Sequence, residues 1–431
     1  MAEALLLRGG RVVDPASGRD EVADVGVAEG RIVPPDAVPA GALELDCAGL
    51  VVAPGLVDPH THLRQPGGED AETVETGCRA AALGGYTAVA PMANTDPVAD
   101  DAAVIREVID LAAAAGLCDV YPVGAITRGL AGEDLAELGE MVEAGVRVFS
   151  DDGRVVANPQ LLRNALTYAL AFGEVAIAEH CEDPALAEGG QMHEGQFSAL
   201  LGLQGKPRES EKIVVARDLA LARLTGGRLH LLHLSSAGSV ELVRRAKAEG
   251  LRVTAEVTPH HLVFTDADLA TYDTNLKVNP PLRTAEDRAA LRRGLADGAI
   301  DVIGTDHAPH PVERKEVEFD QAAPGTIGLE TALAAVLTEL VEPGELSLLR
   351  AIEAMSTAPA RLLGAADHGG PIEPGRPAML AVFDPAATWV VEPPFASRSR
   401  NCAFIGRTLR GRVVHTIYRG ELVVADGKAQ R

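Results

Sequence analysis

A chain of 431 residues with 62 acidic against 39 basic side chains carries a formal net charge of −23, and this balance argues against a nucleic-acid or polyanion partner, which needs a basic face. No apolar run approaches the roughly 20 residues that span a bilayer, and the start Met-Ala-Glu-Ala lacks a basic signal-peptide head, so no membrane partner is expected and the protein is placed in the cytoplasm. Cys47, Cys78, Cys118, Cys181 and Cys402 are widely spaced with no CxxC pair, which predicts reduced thiols and neither a disulfide framework nor a thiolate metal site.

In chain order, residues 1–53 hold short Val- and Gly-rich runs such as Val25-Gly26-Val27, the composition of brief strands. From about residue 50, short apolar runs alternate with longer amphipathic ones. The predicted strands are Leu50–Val57, Tyr86–Pro91, Val120–Ile126, Val146–Ser150, Val175–Glu179, Arg228–Leu234, Arg252–Val257 and Ala299–Gly304. Asp100–Ala115, Glu133–Ala144, Glu211–Thr225 and Ser239–Glu249 carry helical spacing between them. Repeated βα units of this kind predict an α/β fold, a (β/α)8 barrel over residues 54–364. Residues 365–431 return to strand-like runs, Met379–Phe383 and Val413–Ile417 among them. The economical arrangement is one small β domain built from both termini, 1–53 and 365–431, beside the barrel. Two long connections, 183–208 and 308–327, stand out, and loops of this length often act as lids.

Polar residues follow the strands. His60 and His62 follow the first, Asn94 the second, Asp151 and Asp152 the fourth, and His180 the fifth; His233 ends the sixth and Asp306 follows the eighth. In a parallel barrel all these ends open on one face, where loops build the active site. Side chains two apart on a strand share a face, so His60 and His62 can converge on one cation. With Asp152, His180, His233 and Asp306 they make four imidazoles and two carboxylates, enough for one metal or two. His230 lies three residues from His233 and faces the other way. His260 and His261 fit packing or supporting roles better than ligation. His307 is expected to orient its neighbours, and His310 to enter the site through its turn.

The stretches Asp58–Arg64 (DPHTHLR) and Gly304–His310 (GTDHAPH), with the eight-strand layout, resemble the amidohydrolase superfamily of metal-dependent cyclic amide hydrolases. Within it the resemblance is to the dihydroorotases of the longer, bacterial type I class. It extends to Met92–Thr95, Phe149–Gly153, Val278–Arg283 and Phe404–Gly406. Dihydropyrimidinases and allantoinases bridge their metals with a carboxylated lysine after the fourth strand, but the first lysine here is Lys206. Type I dihydroorotases use an aspartate there, and Asp152 aligns with it; Asp151 is an adjacent competitor that the sequence does not separate from it.

The resemblance implies that His60, His62, Asp152 and Asp306 hold a first metal and that Asp152, His180 and His233 hold a second. Zinc is the expected ion, one or two per chain and preferably two bridged by Asp152, although cobalt or manganese suits the same donors. It implies a substrate ring with an imide and an exocyclic carboxylate. Arg64 would take the carboxylate in a bidentate fork, with Asn94 and His310 sharing it and His62 alongside; Asn279 and the backbone of Pro324-Gly325 would meet the ring. The implied reaction is reversible hydrolysis of L-dihydroorotate to N-carbamoyl-L-aspartate in pyrimidine synthesis, by metal-activated water with Asp306 as proton shuttle. A homo-oligomer, and a complex with aspartate transcarbamoylase, accompany that reading. Its rivals are another cyclic amidohydrolase, acting on hydantoin, dihydropyrimidine or allantoin, and a non-catalytic scaffold for the transcarbamoylase.

Overall fold

The computed structural model describes residues 4–431. Eight parallel strands form its centre: β1 (Leu56–Thr61), β2 (Tyr86–Pro91), β3 (Asp119–Val120), β4 (Val148–Ser150), β5 (Ala176–Glu179), β6 (Arg228–Leu231), β7 (Val253–Val257) and β8 (Val302–Ile303). They pair as two arcs, β1-β2-β3 and β4-β5-β6-β7-β8. Parallel bridges between Gly124 and Phe149 and between Thr61 and His307 join the arcs into a closed ring. Every residue of β1, β2 and β5 is buried, as expected for strands with side chains inside the barrel and helices outside. Several helices carry the caps their sequences encode. Asp101 accepts hydrogen bonds from Ala103 N and Val104 N to open Ala102–Ala115, which ends at Gly116 in the left-handed region (φ 63°).

The run Leu50–Val57, read from sequence as one barrel strand, is divided in the structure. Val51–Pro54 pairs antiparallel with Leu380–Val390 and parallel with Leu5–Asp14, whereas Leu56–Thr61 opens the barrel. The break falls at Gly55, where any side chain would overlap Thr87 of β2. The pairing of Val51–Pro54 with Leu380–Val390 stitches the two ends of the chain into one nine-stranded sheet. As a further result, His60 lies inside β1 and His62 just beyond it, with His62 N donating to His307 O (2.8 Å).

Three segments fold over the C-terminal mouth of the barrel. In 183–208, Met192–His193 pairs with Gly205–Lys206 beneath the short helix Gln196–Leu201. The loop 308–327 is tied down by two lysines that find only backbone acceptors. Lys315 Nζ donates to Ala323 O (2.8 Å) and Gly325 O (2.9 Å), and Lys277 Nζ to Phe319 O (2.6 Å). Residues 391–407 leave the sheet and pack on the barrel, with Phe404 against Phe264 at 5.1 Å between ring centres. From this segment Asn401 Nδ2 donates to Ala308 O (3.0 Å) and Gly325 O (3.1 Å). Among the described residues no helix is long and apolar enough to cross a membrane.

Candidate metal centre and active site

The strand ends bring His60, His62, Asp152, His180, His233 and Asp306 together, all of them buried. Asp152 lies at their middle. Its Oδ2 is 3.5 Å from both His60 Nε2 and His62 Nε2, while its Oδ1 is 3.2 Å from His233 Nε2 and 3.6 Å from His180 Nδ1. Asp306 Oδ1 is 3.1 Å from His62 Nε2 and 3.5 Å from His60 Nε2. Two sets of donor atoms fall within 4.8 Å of one another, one from His60, His62 and Asp306 and one from His60, Asp152 and His233. The neighbouring Asp151 faces elsewhere: its carboxylate accepts hydrogen bonds from Ile126 N (2.8 Å), Thr127 N (3.0 Å) and the Thr127 hydroxyl.

These residues fit a divalent cation on two counts. His60 Nε2 is buried without a hydrogen-bond partner and is directed between the two aspartates, an expensive arrangement for a polar atom that has no ligand to bind. The cluster also concentrates negative charge. Burial opposes protonation of His60, yet Glu256, Asp152 and Asp306 together push its imidazole well above the ordinary histidine value. A cation offsets the same charge while leaving the imidazole neutral, the form that ligates.

Glu256 is the residue that sequence reasoning missed. It sits in β7, accepts a hydrogen bond from His60 Nδ1–H (2.8 Å) and another from His233 N (3.1 Å), and is wholly buried. The first contact fixes the His60 tautomer so that Nε2 offers its lone pair to the cluster. The available signal was a lone carboxylate in the apolar run Val253-Thr254-Ala255-Glu256-Val257, since such a charge is kept only with partners. His230, expected to face away from His233, instead turns toward Glu256, its Nε2 3.5 Å from Glu256 Oε2 and its Nδ1 2.8 Å from Thr254 Oγ1, because the chain leaves regular strand geometry before His233 (φ 28°). Glu256→Gln is expected to lower metal affinity by about 10–100-fold, the usual cost of losing a group that orients a ligating histidine. Metal retained through dialysis, measured by elemental analysis, checks this, and wild-type retention would remove Glu256 from the centre.

Beside the cluster opens a cavity of about 500 Å³, lined by His62, Arg64, Asn94, Asn279, His310 and Pro324, with Lys206, Lys277 and Arg314 further out. In an acidic protein this wall is locally basic, as an anionic ligand requires. Arg64 Nε donates to Pro309 O (3.1 Å), which leaves the fork of its guanidinium for a ligand, and burial lowers its pKa to about 10. Asn94 Oδ1 accepts from His62 Nδ1–H (3.0 Å), so Asn94 also orients that imidazole. His310 Nε2–H donates to Pro324 O (2.9 Å), and burial, then Arg64, holds its pKa at about 3. It is therefore neutral near pH 7 and presents Nδ1 as an acceptor. The backbone groups of Gly325 are engaged within the protein, its N by Lys277 O and its O by Lys315 and Asn401. His260 and His261 lie below, His261 Nε2–H donating to Pro280 O (2.9 Å) next to Asn279. Arg64 (φ 60°), His233 (φ 28°) and Asp306 (φ 47°) all take positive φ, a concentration of backbone strain typical of functional sites.

A family model described as Dihydro-orotase-like matches residues 49–239, and one described as Amidohydrolase family matches residues 222–424. A dihydroorotase from Pelotomaculum thermopropionicum is 53% identical over 425 residues, 98% of this chain and 99% of that protein. One from Mycobacterium tuberculosis is 50% identical over 432 residues, 99% of each. Among solved structures, the L-hydantoinase (dihydropyrimidinase) of Arthrobacter aurescens is similar with a TM-score of 0.88 at 29% identity, across 100% of this chain and 98% of that one.

Proposed function

Because the chain belongs to the dihydroorotase family of metal-dependent amidohydrolases, we propose that its barrel mouth interconverts L-dihydroorotate and N-carbamoyl-L-aspartate with the residues just described. The observation that carries this reading is one cavity lined by both Arg64 and His62, the latter a member of the His/Asp cluster. A cyclic amide bearing a carboxylate needs those two features side by side.

In this reading His60, His62, Asp152 and Asp306 hold one divalent cation and Asp152, His180 and His233 a second, with zinc the ion these donors favour. The cation, when bound, supplies a Lewis acid that acidifies water and polarises the ring carbonyl. The protein's own groups do the rest. Arg64 grips the exocyclic carboxylate and sets the ring at a fixed distance from Asp306. Asn94 keeps His62 in one tautomer. Asn279 meets the amide edge of the ring, and Pro324, followed by Gly325, forms part of the same cavity wall. Asp306 Oδ1 lies 3.1 Å from His62 Nε2 on the side where both would hold the cation, leaving Oδ2 to take the proton from the attacking water. As the ring C–N bond breaks, the same oxygen returns the proton to the departing nitrogen. The water oxygen ends in the new carboxylate and the nitrogen in the ureido group. Ring closure runs the same steps backwards.

L-dihydroorotate hydrolysis is expected to stop on chelation and to return with zinc. Uncharged dihydrouracil should be turned over with kcat/KM about 100-fold lower, the effect of losing a charge-assisted contact of about 3 kcal/mol. Comparable efficiency on dihydrouracil would overturn the carboxylate clamp and favour a hydantoinase-like activity. Homo-oligomer formation and association with aspartate transcarbamoylase, which acts at the preceding step, belong to the same proposal. So does a cytoplasmic location, supported by five buried free cysteines that a reducing compartment keeps as thiols.

A further inference from the structure

Lys206 stands at the rim of the cavity on the short strand Gly205–Lys206, its side chain only 13% exposed. Its ammonium donates to Glu182 Oε1 (3.0 Å) and Oε2 (3.2 Å) and to Asn279 Oδ1 (2.6 Å). On its other side the Asn279 amide places Nδ2 at 3.4 Å from Glu182 Oε2 and 3.2 Å from His180 Nε2. An ammonium can only donate and a carboxylate can only accept, so the two charges admit one of the two amide orientations. The flipped amide would set Nδ2 against Nζ and Oδ1 against the Glu182 carboxylate, turning two attractions into two repulsions. The charges therefore fix which end of the amide is which.

We propose that Lys206 and Glu182 are positioning residues that lock the Asn279 amide in the one orientation in which it meets the substrate ring. The inference rests on the reading of Asn279 as a substrate contact. The lock spans two separate loops, the 183–208 insert carrying Lys206 and the segment after β7 carrying Asn279. It leaves one lone pair of Oδ1 for the ring, since Nδ2 already faces both Glu182 Oε2 and His180 Nε2. An amide free to rotate would present the wrong group to the ring for part of the time and would have to be ordered by each incoming substrate.

The test is a double-mutant cycle of K206M, N279A and the double variant, read as KM and kcat for L-dihydroorotate alongside metal content. K206M is expected to raise KM about tenfold with kcat changed less than about threefold, the scale of one charge-assisted contact, and metal content unchanged. The double variant should have the KM of N279A alone, because Lys206 acts through Asn279. Additive effects would overturn the proposal by showing that Lys206 reaches the substrate directly, and loss of metal in K206M would overturn it in favour of support for His180. A wild-type KM in K206M beside a raised one in N279A would refute the lock and leave the Asn279 contact standing. An N279A protein with wild-type KM removes the contact itself, and the lock with it. K206Q repeats the cycle if K206M does not yield folded protein.

Discussion

Asp306→Asn is expected to fold, to bind L-dihydroorotate and to lose about 10²–10⁴-fold in kcat, the span attributable to a positioned acid–base group. The substitution preserves shape. Asp306 holds φ 47°, a conformation in which Asn is among the best tolerated residues, so the backbone is not driven from its place. Both neighbours are fixed independently. Thr305 N donates to Asp58 Oδ1 (3.0 Å), and His307 is held between Glu72 Oε2 (3.2 Å from Nε2) and Gly328 N (3.2 Å from Nδ1). Asn keeps an oxygen that can face His62 Nε2 and replaces the other with an NH2 group, which cannot accept the proton of the attacking water. Hydrolysis and ring closure should fall in parallel, because one group serves both directions. Titration calorimetry with substrate, elemental analysis and turnover in each direction check the expectation. Near wild-type turnover would rule out Asp306 as the shuttle, and loss of binding would mean that its main role lies in holding the site together.

The barrel and the face that gathers the His/Asp cluster were legible in the sequence because both follow from local pattern. Buried parallel strands read as apolar runs, and a polar residue just beyond each run is placed at the mouth by the parallel architecture alone. His60 and His62 needed nothing further than a spacing of two. What escaped depends on contacts between residues distant in the chain. The division of Leu50–Val57 at Gly55 is set by Thr87 and by the pairing of Val51–Pro54 with Leu380–Val390, more than 300 residues away. Glu256 looks like any strand residue until His60, 196 positions earlier, is seen against it. Lys206 stands out in the sequence only as the first lysine of the chain, and its tie to Asn279 spans 73 positions. The choice between Asp151 and Asp152 is likewise one of direction: alternate residues at a strand end face opposite ways, and Thr127 claims the Asp151 carboxylate.

Asp152→Asn should have the second large effect, and it separates metal retention from proton transfer. Each carboxylate oxygen faces two histidines, His60 and His62 on one side and His180 and His233 on the other. Asn has nearly the same volume, so packing at this buried position is kept, but one oxygen becomes a donor and the negative charge disappears. One histidine pair then meets an N–H where it had an anion. Asp151 cannot take over, since its carboxylate is saturated by Ile126 and Thr127. The loss in metal affinity should exceed the about 10–100-fold typical of groups one layer further from the ion. Metal content should fall by at least one equivalent and turnover should become undetectable without added metal. The thermal midpoint offers an independent reading. A ligand that binds only the folded state raises stability with its occupancy, so chelation should lower the midpoint of the wild type by more than that of D152N. A variant that keeps wild-type metal content and an equal response to chelation would show that the histidines hold their ions without this aspartate, and the two-metal reading would have to be rebuilt around Asp306.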